Sequence, residues 1–345
     1  MKIDQNYLVT TLKELLAIPS PVGYTEEIST YITKHLGVRN IAYKTKRRGT
    51  IVATLSGERT ESDRALSTHL DTLGAMVKRI KPDGRIEIAP LGSWSARFAE
   101  GGRVTIITGK ESLRGTVLPI RSSGHVYGDG VDTLPVGWEY VELRLDSQCT
   151  TAEQVHDLGI IVGSFVAFDP NPEFLSNGYI VSRYLDDKAG VACLLTAIKA
   201  VQETTNTLPV ECHPIFSLSE ETGCGCGHAP DADVGELVSI DIGPVAPGQN
   251  SSEHTANICV KDMSGVYHSH LTKKLMVLCK KNNIPYKSDI YQYYRSDTNS
   301  AIVAGNDLLH GLITFGTEST HGYERTHIDS LIAVTQLIIH YMLSE

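Results

Sequence analysis

The sequence predicts an α/β protein whose strand–helix alternation is interrupted by an all-β segment. Three observations carry that expectation. Residues 1–72 and 173–345 alternate apolar runs of helical period with short β-branched runs, the pattern of a mostly parallel sheet covered by helices. Residues 73–172 instead hold many short β-type runs punctuated by Gly, Pro and Asp, with no long helical pattern, as in a small barrel or sandwich. Residues of ligand type follow apolar runs in five places, and α/β sheets collect ligands at the carboxyl ends of their strands. The expected division is a discontinuous domain, 1–72 with 173–345, and an inserted β domain, 73–172.

Each element follows from local pattern. Tyr7, Leu8, Leu12, Leu15 and Leu16 recur at helical spacing over 6–17, and Ile18-Pro-Ser-Pro-Val-Gly23 ends that helix. A second helix begins near Thr25, with Glu26 and Glu27 favourable in its first turn. Residues 50–55 and 64–68 read as strands, the latter ending at His69. The inserted segment offers runs at Gly74–Ile80, Arg85–Ala89, Arg103–Thr108, Gly115–Leu118, Tyr140–Leu145 and Ser164–Phe168, a short helical turn at Thr151–Leu158, and an exit at Asp169-Pro-Asn-Pro172. A helix follows Asp187 through Ala189, Val191, Leu194, Leu195 and Ile198. Strands follow at Cys212–Leu218 and Leu237–Ile242. Leu271, Leu275 and Leu278 mark a helix ending near Asn282-Asn283, and a strand at Leu312–Phe315 precedes His321. Asp329 or Ser330 caps the last helix, which carries Leu331, Val334, Leu337, Ile338 and Tyr341.

Composition narrows the function classes. At 345 residues, 41% hydrophobic and 21% charged, the chain can bury a large core. A net charge of −9 argues against general nucleic-acid binding. The basic run Lys44, Lys46, Arg47 and Arg48 reads as a solvated strand end or turn. No apolar run approaches the roughly 20 residues of a membrane span, and the N-terminus shows no signal-peptide core. Seven irregularly spaced cysteines suit reduced thiols in the cytoplasm. Cys224 and Cys226 lack the matching pair that a structural zinc site requires.

The five clusters carry the chemistry. In Thr-His-Leu-Asp, strand alternation puts His69 and Asp71 on one side, so that His69 can bind a metal while Asp71 holds its other ring nitrogen. Asp186-Asp187, Glu220-Glu221, Asp241, and His321 with Glu324 follow. Carboxylates at the ends of apolar strands are costly unless paired, protonated or metal-bound. Five such sites in order, two with histidine, suit divalent metals with nitrogen and oxygen ligands. A two-metal site needs a bridging carboxylate and terminal ligands for ions about 3.5–4 Å apart. Asp186 supplies the bridge, His69 and Asp241 complete one metal, and Glu221 and His321 the other. Three carboxylates and two neutral imidazoles leave two divalent ions with net positive charge, favouring a bound hydroxide and polarising a carbonyl oxygen. Glu220 is left over as a general base able to pass a proton to a leaving amine. Asp187 is expected to cap the helix that follows it.

These residues resemble the glutamyl or tetrahedral (TET) aminopeptidases, a cytosolic family of co-catalytic metallopeptidases. The matching segments are Leu-Leu-Ala-Ile-Pro-Ser-Pro-Val-Gly, Thr-His-Leu-Asp-Thr-Leu-Gly-Ala-Met-Val, Leu-Asp-Asp-Lys-Ala-Gly, Ser-Glu-Glu-Thr-Gly, Ile-Asp-Ile-Gly and His-Gly-Tyr-Glu. The resemblance implies an α/β/α phosphorylase/hydrolase-like domain with a small β-barrel inserted after the His-x-Asp strand. It implies metal binding by His69, Asp186, Glu221, Asp241 and His321, with Glu220 as general base and Asp71 as the partner of His69. It further implies two ions of zinc, cobalt or manganese, release of N-terminal residues from short peptides, and a homo-oligomer of the tetrahedral dodecamer type. The same metal set also serves deacylases and dipeptidases acting on one small substrate. A glycosidase is disfavoured, because adjacent carboxylate pairs do not by themselves provide two carboxylates about 5–9.5 Å apart across a bond. A noncatalytic protein that keeps the fold would be expected to lack a ligand or Glu220. Two segments depart from the family pattern. Tyr293-Tyr294-Arg295-Ser296-Asp297-Thr298-Asn299 stands where relatives carry a Gly-Thr-Asp-Ala-type segment, and Arg295 there suits an acidic substrate. Residues 253–270 carry His254, His268 and His270, expected at the surface or an interface.

Overall fold

The computed structural model describes residues 3–109, 111–205 and 207–345. Two helices open the chain, α1 (Gln5–Ala17) and α2 (Glu26–Val38), each burying one apolar stripe, Leu8, Leu12, Leu15 and Leu16 on the first and Ile28, Ile32 and Leu36 on the second. Three strands follow: β1 (Ala42–Thr45), β2 (Ile51–Thr54) and β3 (Gly57–His69). Next come β4 (Gly74–Ile80), β5 (Ile86–Leu91), β6 (Arg103–Ile107), β7 (Ser112–Pro119), the short α3 (Gly124–Tyr127), β8 (Val141–Leu145), α4 (Ala152–Asp157) and β9 (Phe165–Phe168). The chain continues with β10 (Glu173–Phe174), β11 (Tyr179–Ser182), α5 (Leu185–Gln202), β12 (Leu208–Ser217), β13 (Val234–Val245), β14 (Ala256–Lys261), α6 (Ser269–Lys281), β15 (Tyr286–Ile290), α7 (Asp297–Val303), β16 (Leu309–Glu318), β17 (Glu324–His327) and α8 (Ile328–Met342).

The architecture is the expected mixed α/β fold with a closed barrel. Strands β4-β5-β8-β7-β6-β9 close on themselves through antiparallel pairs around Val77, Ile88, Val104, Ile106, Leu143 and Val166. The others form an 11-stranded sheet in the order β1-β2-β12-β3-β13-β16-β17-β11-β10, with β14 and β15 attached beside β16. Its centre, β12-β3-β13-β16, is parallel. Helices α1, α2, α5, α6 and α8 cover one face in the largest apolar cluster. A smaller cluster containing Ala65, Ile215, Leu237, Cys226, Ala229 and Ala301 covers part of the other.

Polar sequence hid several elements. β3 begins at Gly57 rather than near residue 64, because Glu58–Ser62 is exposed and shows no apolar alternation. β17 reads Glu-Arg-Thr-His and is nevertheless mostly buried. The cap of α8 is His327, whose ring accepts the Asp329 N–H, rather than Asp329 or Ser330. Ser330 instead donates to the Thr255 carbonyl and accepts from Gly316 N.

Candidate active site

β3 delivers His69 as its last residue, and the segment that ends α1 holds it there. Ser20 Oγ donates to the Leu70 carbonyl at 2.8 Å, and Val22 N donates to the Thr72 carbonyl at 3.0 Å. Lys188, buried in the Leu-Asp-Asp-Lys motif, donates to the Ile18 carbonyl at 2.5 Å, and burial pulls its ammonium pKa down to about 7. The Asp186–Asp187 peptide is cis. Asp187 is not the expected helix cap. Its torsion angles are non-helical, and its Oδ2 accepts the backbone N–H of His69 at 3.2 Å. Gly190 makes this arrangement possible, since a Cβ there would lie 2.1 Å from Asp187 Oδ1.

Asp186 faces two imidazoles at once. Its Oδ1 lies 3.0 Å from His69 Nε2 and its Oδ2 lies 3.5 Å from His321 Nε2. His321 Nε2 is also 3.4 Å from Glu221 Oε2, and Glu220 Oε2 is 3.9 Å from His69 Nε2. His69, Asp186 and Glu221 offer ligand atoms that all lie within 4.8 Å of one another. Both imidazoles turn Nδ1 to a main-chain carbonyl, His69 to Asp71 at 2.9 Å and His321 to Ser93 at 2.8 Å. Those carbonyls can only accept, so Nδ1 carries a proton and Nε2 is aimed at the carboxylates, as in metal-binding histidines.

Asp71 plays a different part from the expected one. Its carboxylate is 3.8 Å from His69 Nδ1, beyond hydrogen-bonding distance. It accepts instead from Glu220 N at 3.2 Å and Glu221 N at 3.3 Å. A turn after β12 cannot supply partners for those buried N–H groups, so the carboxylate does. Asp241 also departs from expectation: it lies inside β13, which runs on to Val245, and its Oδ1 accepts from Ile242 N at 2.6 Å. It still lines the same cleft as Asp186, Glu220, Glu221 and His321.

Crowded buried charges shift one another. Burial, then the Asp186 charge, pushes Asp241 up to about 8, and burial pushes Glu221 up to about 8 against the opposing His321. Burial also raises Glu220 well above the ordinary carboxylate range. Asp186 goes the other way, because the two imidazoles outweigh its burial penalty. For His321, burial is outweighed by Glu221 and Asp186, and its pKa rises to about 11. Such opposed shifts in one cleft mark a functional site.

Several contributors have partners that the sequence pattern does not show. Glu324 accepts from Asp186 N and His321 N, both at 3.1 Å, and Thr320 Oγ1 donates to Asp186 Oδ2 at 3.1 Å. Ser93 belongs to a loop after β5, and nothing in its local sequence signals a site. The Tyr294 hydroxyl is buried in the cleft wall beside the Asp241 carboxylate. Asp297 accepts from Ser217 Oγ at 2.6 Å and Cys226 N at 2.9 Å, tying α7 to the loop that follows Glu221. All seven cysteines are free, with Cys226 buried and Cys224 exposed in the cleft wall. Tyr184, Ser219 and His321 are non-glycine residues with φ of 68°, 67° and 62°, so three of the segments that bring side chains into the cleft carry backbone strain. His254 and His270 are exposed, as expected, and His268 is half-buried.

The cleft measures about 1340 Å³ and opens to solvent between the sheet and the barrel. YhfE of Bacillus subtilis (strain 168), to which aminopeptidase activity is ascribed, is 41% identical over 334 residues, 96% of each chain. Among solved structures, a TET aminopeptidase from a marine sediment archaeon of the Thaumarchaeota is similar in fold, with a TM-score of 0.89 at 16% identity, covering 97% of this chain and 96% of that one. The Pyrococcus horikoshii TET1 peptidase, which can assemble into a tetrahedron or a large octahedral shell, has a TM-score of 0.86 at 21% identity over 98% and 100% of the two chains. The M42 glutamyl aminopeptidase model matches residues 49–337, so the chain belongs to the M42 family and is a peptide hydrolase of the aminopeptidase type.

Proposed function

We propose that this cleft holds two divalent metal ions and removes N-terminal residues from short peptides, with Glu220 as the general base. The observation that carries the reading is the position of Asp186, one carboxylate oxygen toward each imidazole. The donor set also fits: Glu221 Oε1 is buried without a hydrogen-bond partner among the described residues, a costly state that a nearby cation relieves. His69, Asp186, Glu221, Asp241 and His321 would hold the ions, and mixed nitrogen and oxygen donors suit zinc, with cobalt or manganese as alternatives. When bound, the ions would polarise the scissile carbonyl and acidify the attacking water.

The protein's own groups do the rest. Glu220 lies beside the His69–Asp186 pair, its Oε2 3.9 Å from His69 Nε2, and lines the cleft, where its carboxylate would take a proton from water and deliver it to the leaving amine. Asp71 fixes the turn that aims it. A narrower reading, a dipeptidase or deacylase for one carboxylate-bearing substrate, is favoured by Arg48 and Arg295. Both line the cleft, and neither has an ion-pair partner among the described residues. The assembly of the TET1 neighbour supports a homo-oligomer for this chain too, and the free cysteines suit a cytoplasmic location.

Chelation should abolish aminoacyl-anilide hydrolysis, and zinc should restore it. Glu220→Gln should keep its metal and lose about 10²–10⁴-fold in kcat; undiminished kcat would remove Glu220 from the reaction. Arg295→Ala should slow acidic aminoacyl substrates more than neutral ones, and equal effects would defeat the preference.

A further inference from the structure

We propose that His254, His327 and Asp329 bind a divalent transition-metal ion of the zinc class where β17 meets α8, outside the cleft. The three offer one ligand atom each, all within 4.8 Å of one another. Asp329 Oδ2 is the shared point, 3.2 Å from His327 Nδ1 and 3.4 Å from His254 Nδ1. Ligands about 2.0–2.1 Å from a tetrahedral zinc stand about 3.3 Å apart, so both separations already match those around such an ion.

The hydrogen bonds of His327 supply a second, independent reason. Its Nε2 lies 2.9 Å from the Asn177 carbonyl, which only accepts, so Nε2 carries the ring proton. Its Nδ1 accepts the Asp329 N–H at 3.1 Å, so its single lone pair points toward Asp329, and a bound ion would take the place of that hydrogen bond. Asp329 Oδ2 stands 3.2 Å from the same nitrogen, so an ion placed between them would be held by both.

His254 completes the set. Its Nε2 lies 3.4 Å from the Tyr179 hydroxyl, which can accept its proton and leave Nδ1 free for a metal. Each imidazole thus has one nitrogen held by an oxygen and the other aimed at the same carboxylate oxygen, the arrangement of metal-bound histidines. The rings are held 4.4 Å apart. The nearby charge of Arg325 is already engaged by Glu253, at 2.8 and 2.9 Å. Two imidazoles with one carboxylate select zinc, nickel or copper over calcium or magnesium. About half of each of the His254 and Asp329 side chains is exposed, which leaves a coordination position for water. The ion would fasten the loop before β14 to the start of α8.

The test counts zinc by elemental analysis on the full-length chain after desalting into metal-free buffer. His254→Ala should carry one zinc fewer per chain than the native protein, with peptidase activity unchanged. A cleft variant carrying His69→Ala and Asp186→Ala should retain one zinc and lose it when His254→Ala is added. If the two-ion reading of the cleft fails, the native chain should still hold one zinc that His254→Ala removes. Equal zinc contents in the native protein and His254→Ala would overturn the proposal, whatever the cleft variant does.

Discussion

Asp71 offers both carboxylate oxygens to main-chain N–H groups of the turn that presents Glu220 and Glu221. Removing them leaves two N–H groups without acceptors, at about 1–3 kcal/mol for each buried orphan. Asp71→Ala should therefore lower both the melting temperature and kcat, while Asp71→Asn, which keeps one oxygen, should fall between it and the native protein. Thermal unfolding and steady-state kinetics on the three proteins check the order. At this scale the side chains expected to share a site were legible because a buried His, Asp or Glu beside an apolar run needs a reason. What each one bonds was not. Asp71 and Asp187 both bond main-chain groups brought close only by folding, and the partner carbonyl of His321 comes from Ser93 in the barrel.

Elements show the same division between pattern and context. The apolar helices and central parallel strands follow the hydrophobic period, whereas β17, α7 and the exposed start of β3 do not, because tertiary contacts rather than apolar faces hold them. Helix α5 carries a conflict that can be measured. Ala is favoured over Gly inside a helix by about 0.5–1 kcal/mol, so propensity alone makes Gly190→Ala stabilising. A Cβ there would meet Asp187 Oδ1 at 2.1 Å and displace the carboxylate that holds His69 N. The expected outcome is a lower melting temperature together with weaker zinc retention. A rise in melting temperature would show that Asp187 can move aside freely.

Across the whole molecule, the cleft stores protons when metal is absent. Glu221 and Asp241, each pushed up to about 8, and His321, raised to about 11, bind protons more tightly folded than unfolded, where the ordinary values are about 4.3, 3.9 and 6.5. Their stabilisation is complete below the unfolded values and is lost as pH rises through the folded ones. Chelator-treated protein should thus melt at progressively lower temperature from about pH 5 to pH 8. Zinc should raise the melting temperature more at pH 8, because binding must displace those protons. A flat profile in scanning fluorimetry would contradict both. Ile161 and Val162, adjacent in sequence and both exposed in the barrel segment, offer apolar surface to the proposed homo-oligomer. Native protein should scatter light as more than one chain, and Ile161→Asp should reduce that mass. The fold class and the barrel interruption were legible from the change of period after Asp71, but the way the two bodies meet was not. The His321–Ser93 bond spans that meeting, with the imidazole on the sheet side and its carbonyl anchor on the barrel. Tilting the barrel away would swing this ring out of aim while His69, anchored within its own strand end, stayed put. Leverage between the two halves of the molecule would therefore be felt first at this histidine.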